Sequence, residues 1–169
     1  TLPGTNDMQP DIVWIKERSA AEGHKLFDSV RGATNLIQPS AANLEQDQDT
    51  SLTAFNSDGF SLGIDSGEIV NDDGVTNVAW CWKESATAGC DIVGWTGNAT
   101  ARTISHSLSA VPHTMIVKLR PTNSDWRVYH QGNTSAPETD YLRLNENLVT
   151  VDSATVWNDT APTSSVFSV

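Results

Sequence analysis

At 169 residues, with 38% hydrophobic residues including six Trp, four Phe and two Tyr, the chain has material for one large β domain or two small ones. Only 18% of residues are charged, and Ser, Thr, Asn and Gly fill the gap, a mixture that suits short strands joined by many turns. The net charge of −11 argues against a phosphate-binding nucleic-acid surface, and no apolar run reaches the roughly eighteen residues that a membrane-spanning helix needs.

Taken from the N-terminus, the apolar alternation and β-branched content predict strands at 12–16, 25–28, 52–55, 60–64, 78–82 and 92–95. A second series is expected at 103–105, 115–119, 126–129, 140–144, 156–157 and 166–169. Turn clusters separate them, among them Asn56-Ser57-Asp58-Gly59, Asn71-Asp72-Asp73-Gly74 and Gln131-Gly132-Asn133. Asp-Gly favours the positive φ of tight hairpin turns. Helical periodicity is weak, with single turns expected at 19–22 and 40–44. The fold class is therefore all-β: antiparallel β-sandwich or jelly-roll-like units, with an elongated β-prism as the alternative.

The chain also repeats itself. Pro10-Asp11-Ile12-Val13-Trp14-Ile15-Lys16-Glu17-Arg18 overlays Pro112-His113-Thr114-Met115-Ile116-Val117-Lys118-Leu119-Arg120 at an offset of about 102 residues. His24-Lys25-Leu26-Phe27 then falls on Trp126-Arg127-Val128-Tyr129. After a slip of three, Thr34-Asn35-Leu36-Ile37 meets Thr139-Asp140-Tyr141-Leu142, and Ser51–Asn56 meets Ser153–Asn158 back at the first offset. The period is far longer than that of solenoid repeats, so each copy is domain-sized. The boundaries expected are 1–85 for the later part of one unit and 86–169 for the earlier part of the next. With no initiator Met or leader at its start, the sequence is expected to belong to a longer array.

Several motifs occur in a fixed order: Asp11-Ile12-Val13-Trp14-Ile15-Lys16-Glu17-Arg18, Phe27-Asp28-Ser29-Val30-Arg31-Gly32-Ala33-Thr34, Phe55-Asn56-Ser57-Asp58-Gly59-Phe60 and Val78-Ala79-Trp80-Cys81-Trp82-Lys83, with Trp157-Asn158-Asp159-Thr160-Ala161-Pro162-Thr163 in the second copy. This series resembles a repeat domain of bacteriophage structural proteins, notably tail-fibre-like and other appendage proteins. The resemblance implies a virion-surface or extracellular fibre role. The expected function is a structural component of a tail fibre or capsid-surface fibre that either presents loops or a sheet face to host-surface carbohydrate or simply extends the fibre. Self-association is then expected, a trimer being the usual fibre arrangement, together with contacts to other virion proteins. A lectin or polysaccharide depolymerase domain and a capsid decoration protein are the alternatives.

No nucleophile elbow, phosphate-cradling loop or zinc signature occurs, and no enzyme is expected. Asp47 with Asp49 and Asp72 with Asp73 are the acid pairs a glycosidase would need, but both lie in polar loop sequence where solvated carboxylates are the rule. No cofactor is expected, calcium in the Asp-rich loops being the one alternative. Cys81 lies in an apolar run that suits a buried free thiol, while its spacing from Cys90 leaves a disulfide open. The candidate ligand-binding residues are Trp80, Trp126 and Trp157, whose rings could stack on sugars; strand alternation puts Trp82 on the same face as Trp80, so that both are buried or both exposed. The recurring pairs Lys16/Arg18 and Lys118/Arg120 join them, because strand alternation would put each pair on one face as a basic ladder for an anionic glycan. The competing expectations are core packing for the Trp residues and salt bridging with the acidic excess for the basic ones.

Overall fold

The computed structural model describes residues 7–67 and 69–169. Within them thirteen strands pair throughout in antiparallel fashion, and one 3-10 turn covers Pro137–Thr139. The chain divides into two compact units: the first runs to Glu84 and takes in Arg120–Asn123, and the second holds Ser85–Leu119 with Ser124–Val169.

In the first unit, β1 (Ile12–Glu17), β2 (Lys25–Asp28), β3 (Gly32–Ile37) and β4 (Gln46–Asp47) run as a meander. β7 (Asn77–Trp82) adds to the far side of β1, giving the order β4-β3-β2-β1-β7. Alternation along β1 sends Val13 and Ile15 into the core, where both are buried, and leaves Ile12, Trp14 and Lys16 half-buried on the other face. The hairpin of β5 (Leu52–Asn56) and β6 (Gly59–Leu62) contributes Leu52, Phe55 and Phe60 to the cluster built on Val13, Ile15, Phe27, Leu36 and Val70.

Two glycines are required by geometry. Gly32 has φ +100° where the β2–β3 register shifts, a conformation that side chains resist. A Cβ on Gly63 would lie 2.3 Å from the Thr50 carbonyl oxygen. The loop that follows is organised by Asp65, 3% exposed, whose carboxylate accepts hydrogen bonds from the Ser51 hydroxyl and from the backbone N–H groups of Val70 and Asn71, each at 2.6 Å.

In the second unit, β9 (Thr114–Val117), β10 (Arg127–His130), β11 (Asp140–Arg143) and β12 (Val151–Asp152) form a second meander, and β8 (Thr103–Ser105) pairs with β13 (Val166–Ser168). Its core gathers Tyr129, Tyr141 and Trp157, with Met115, Val117, Val151 and Val156 packed against them.

The registers of the two meanders coincide. Ile12↔Asp28, Val13↔Phe27, Trp14↔Leu26 and Ile15↔Lys25 become, 102 residues on, Thr114↔His130, Met115↔Tyr129, Ile116↔Val128 and Val117↔Arg127. Asn35↔Asp47 and Leu36↔Gln46 become, 105 residues on, Asp140↔Asp152 and Tyr141↔Val151. The bond from Ser29 N–H to the Asp11 carbonyl at 2.9 Å has its equivalent in Gln131 N–H to His113 at 2.8 Å.

Some local expectations fail. Residues 92–95 are irregular rather than a strand: the Asp91 carboxylate takes the Ile92 N–H, and Trp95 turns its ring edge-on to Phe167 at 5.5 Å. Residues 156–157 lie in a turn, because Asn158 and Asp159 adopt φ of 51° and 47°, which a strand cannot continue through. No helix forms at 19–22 or 40–44, where backbone groups are engaged elsewhere: Lys16 Nζ donates to the Ala20 carbonyl and the Leu44 N–H donates to Asn123 Oδ1. The strands β3, β4 and β12 carry little alternation and were not expected.

Candidate functional site

β7 reads Asn-Val-Ala-Trp-Cys-Trp, and its register with β1 sorts the side chains. Val13 faces Cys81 and Ile15 faces Ala79 on the core side, while Ile12 faces Trp82 and Trp14 faces Trp80 on the outer side. The outer face of the sheet therefore carries three indoles. Trp80 is 45% exposed and Trp82 42%, and the Trp14 and Trp82 rings lie tilted with centroids 6.4 Å apart. Trp14 is fixed from behind by a hydrogen bond from its indole N–H to His24 Nδ1 at 2.8 Å, with the two rings edge to face. That bond requires a neutral imidazole, and burial, followed by the neighbouring Lys16 charge, holds the His24 pKa below its ordinary 6.5.

The other candidates from the sequence disperse. Trp157 is 1% exposed, its indole N–H bonded to the Asp140 carbonyl at 2.9 Å and its ring edge-on to Tyr129, so it is a core residue. Trp126 is 4% exposed and its backbone N–H donates to Asn145 Oδ1. Neither offers a ring face to a ligand, because both side chains are buried.

The basic pairs do not form a ladder. Lys16 folds back onto the carbonyls of Glu17 and Ala20, and Arg18 lies beyond the end of β1. Lys118 and Arg120 lie beyond β9; Lys118 Nζ donates to the Leu119 carbonyl at 2.7 Å, and burial, against the pull of Asp125, lowers its pKa. Arg120 is committed to Glu45, with Nη2 at 2.7 Å and Nε at 2.8 Å from its two carboxylate oxygens. Glu45 also meets Arg31 at 3.0 Å. Burial opposes its ionisation, but the hydrogen bonds from Arg120 and Arg31 prevail and hold its carboxyl below the ordinary range. Arg120 thus takes the salt-bridging alternative raised above.

Asp47, Asp49, Asp72 and Asp73 are all exposed. Among the described residues no group of three or more His, Cys, Asp or Glu side chains converges as a metal site would, and no helix is long and apolar enough to cross a membrane. Cys81 and Cys90 are free thiols, and burial pushes the pKa of Cys81 up.

A family model described as "Domain of unknown function (DUF7483)" matches residues 3–169. The chain belongs to that family. No curated protein and no solved structure matches it. The family match takes in both meanders and the β7 face alike.

Sequence reasoning picked out the Trp80/Trp82 pairing on one strand face but missed its support, Trp14 with His24. It also missed the Arg31–Glu45–Arg120 cluster, whose members are 14 and 75 residues apart and leave no local pattern.

Proposed function

We propose that the chain is a non-enzymatic structural module, two tandem copies of one sandwich-like β unit, serving in a virion appendage such as a tail fibre. The observation that carries the modular part is the coincidence of register between the β1–β4 and β9–β12 meanders at offsets of 102 and 105 residues. Core positions follow the same rule: Val13, Ile15, Phe27, Leu36 and Phe55 answer to Met115, Val117, Tyr129, Tyr141 and Trp157. Repeated small β units joined in series lengthen a fibre without requiring a reactive centre. The virion part rests on the motif resemblance. Gold-labelled antibody against the chain, applied to purified particles of its source, tests it. Label on the tail supports the reading, label on the head moves it to capsid decoration, and a chain absent from the particles overturns it.

The exposed Trp80/Trp82 face favours a second reading, that this module holds host-surface carbohydrate, since flat indoles stack on the apolar faces of sugar rings. Tryptophan fluorescence during titration with surface polysaccharide fragments should shift in the parent and not in Trp80→Ala or Trp82→Ala. Release of reducing ends in the same mixtures would replace both readings with a depolymerase.

A further inference from the structure

The two meanders differ at one edge. β1 is flanked by β7, whereas among the described residues no strand pairs with the outer edge of β9. The core positions that the two strands share differ as well. Val13 and Ile15 are 0% and 3% exposed, but their counterparts Met115 and Val117 are only half-buried. On the outer face Trp14 is half-buried, while its counterpart Ile116 is 47% exposed. An edge strand that carries exposed apolar side chains and free backbone groups is a template for a further strand.

We propose that the outer edge of β9 is a strand-acceptor site, filled antiparallel by a β7-type strand from a further copy of the repeat unit. The inference rests on the reading of the meanders as copies. Transferring the β1–β7 register by 102 residues places the incoming equivalents of Trp82, Cys81, Trp80 and Ala79 opposite Thr114, Met115, Ile116 and Val117. The chemistry of the occupant follows from that register. Small residues such as Ala and Cys must face Met115 and Val117, where Tyr129 and Trp157 already fill the core. Aromatic residues belong on the outer face, where Ile116 offers an apolar surface. The same strand would complete burial of the second core and extend the outer face with two more indoles.

The test uses the whole chain with Cys81→Ser and Cys90→Ser, to which Met115→Cys is added. The probe is a synthetic nine-residue peptide copying 76–84, Thr-Asn-Val-Ala-Trp-Cys-Trp-Lys-Glu, supplied with oxidised glutathione. Residues opposite each other in an antiparallel pair have Cα atoms about 4.5–5.5 Å apart, within disulfide reach. The expected result is a mixed disulfide with the peptide at position 115, formed at least about tenfold faster than with Ile116→Cys, whose thiol would lie on the opposite face. Because Ile116 is well exposed in the free chain, non-specific capture would reverse that preference, and a reversed or absent preference overturns the proposal.

Amide shifts of the unaltered chain provide a second reading. Peptide at about millimolar concentration should perturb residues 114–119, and perturbation elsewhere alone overturns the site. A disulfide between Cys81 of one copy and position 115 of another, formed without peptide in the Met115→Cys chain that retains Cys81, would support the site and identify the occupant as the first unit of a second copy of this chain. Thr114→Cys with His130→Cys reads the underlying register separately, since these residues face each other across β9 and β10. If that pair closes while the peptide is refused, only the acceptor site falls; if it does not close, the reading of copied meanders falls with it.

Discussion

Trp157 and Trp80 show how far one residue type can diverge. Trp157 is enclosed, with its indole N–H bonded to the Asp140 carbonyl, while Trp80 stands nearly half open on the β7 face. Trp157→Ala should therefore cost about 3–5 kcal/mol in urea unfolding, the range for emptying a buried aromatic site. Trp80→Ala should change stability by no more than about 0.5 kcal/mol. Asp65 makes a prediction about pH. Burial opposes its ionisation, but the hydrogen bonds from Ser51, Val70 and Asn71 outweigh that and hold its pKa below the ordinary carboxylate value. A folded value below the unfolded one, about 3.9, means that the carboxylate stabilises the fold above that pH and ceases to as pH falls through the folded value. Urea midpoints of the parent and Asp65→Asn should lie apart at about pH 6 and converge toward about pH 3.

The connection between β2 and β3 depends on Arg31. With its side chain 7% exposed, it bonds the Asp28 carboxylate at 2.5 Å, the Asn35 carbonyl at 2.7 Å, the Glu45 carboxylate at 3.0 Å and the Leu26 carbonyl at 3.2 Å. It thereby ties the ends of β2 and β3 to the start of β4. Removing one partner of such an enclosed cluster leaves carboxylates without compensation. Arg31→Ala should cost about 3–5 kcal/mol, and Arg31→Lys should recover only part of it, because an ammonium cannot reproduce the planar fork. Denaturant melts of the two variants check both values. The second meander has no such arginine. There the connection runs through Gln131–Thr139 and is closed by the 3-10 turn, and the register offset between the two meanders grows from 102 to 105 across it.

Each unit has its own hydrophobic cluster, Val13, Ile15, Phe27, Leu36, Leu52 and Val70 in one and Tyr129, Tyr141 and Trp157 in the other. Separate cores support separate cooperative unfolding. Calorimetry should therefore resolve two transitions, with Phe27→Ala lowering one and Trp157→Ala the other; a single transition lowered equally by both would show one cooperative body. The charge is divided as unevenly as the cores. The sequence of the first unit, residues 1–84 with 120–123, carries 14 acidic against 6 basic residues, so any self-association through it should strengthen as salt screens the repulsion.

By itself the sequence determined the strand class, the positions of most strands and the correspondence between the two meanders. Alternation of apolar and polar residues and the clustering of Asn, Asp and Gly are local signals, and backbone sterics act on them directly. The pairing of Trp80 with Trp82 on one face was legible for the same reason. Only the tertiary structure decided which faces are covered. Whether Trp157 is a ligand platform or a core plug depends on Asn158 and Asp159 turning the chain so that its ring meets Tyr129. Whether Arg120 is a free cation depends on Glu45, 75 residues away. The two-residue strands β4 and β12 exist because β3 and β11 offer them an edge, and no propensity within Gln46–Asp47 or Val151–Asp152 could announce that. Burial and charge pairing are set by neighbours that the fold brings together, and a linear pattern records only what each residue can do, not what comes to lie beside it.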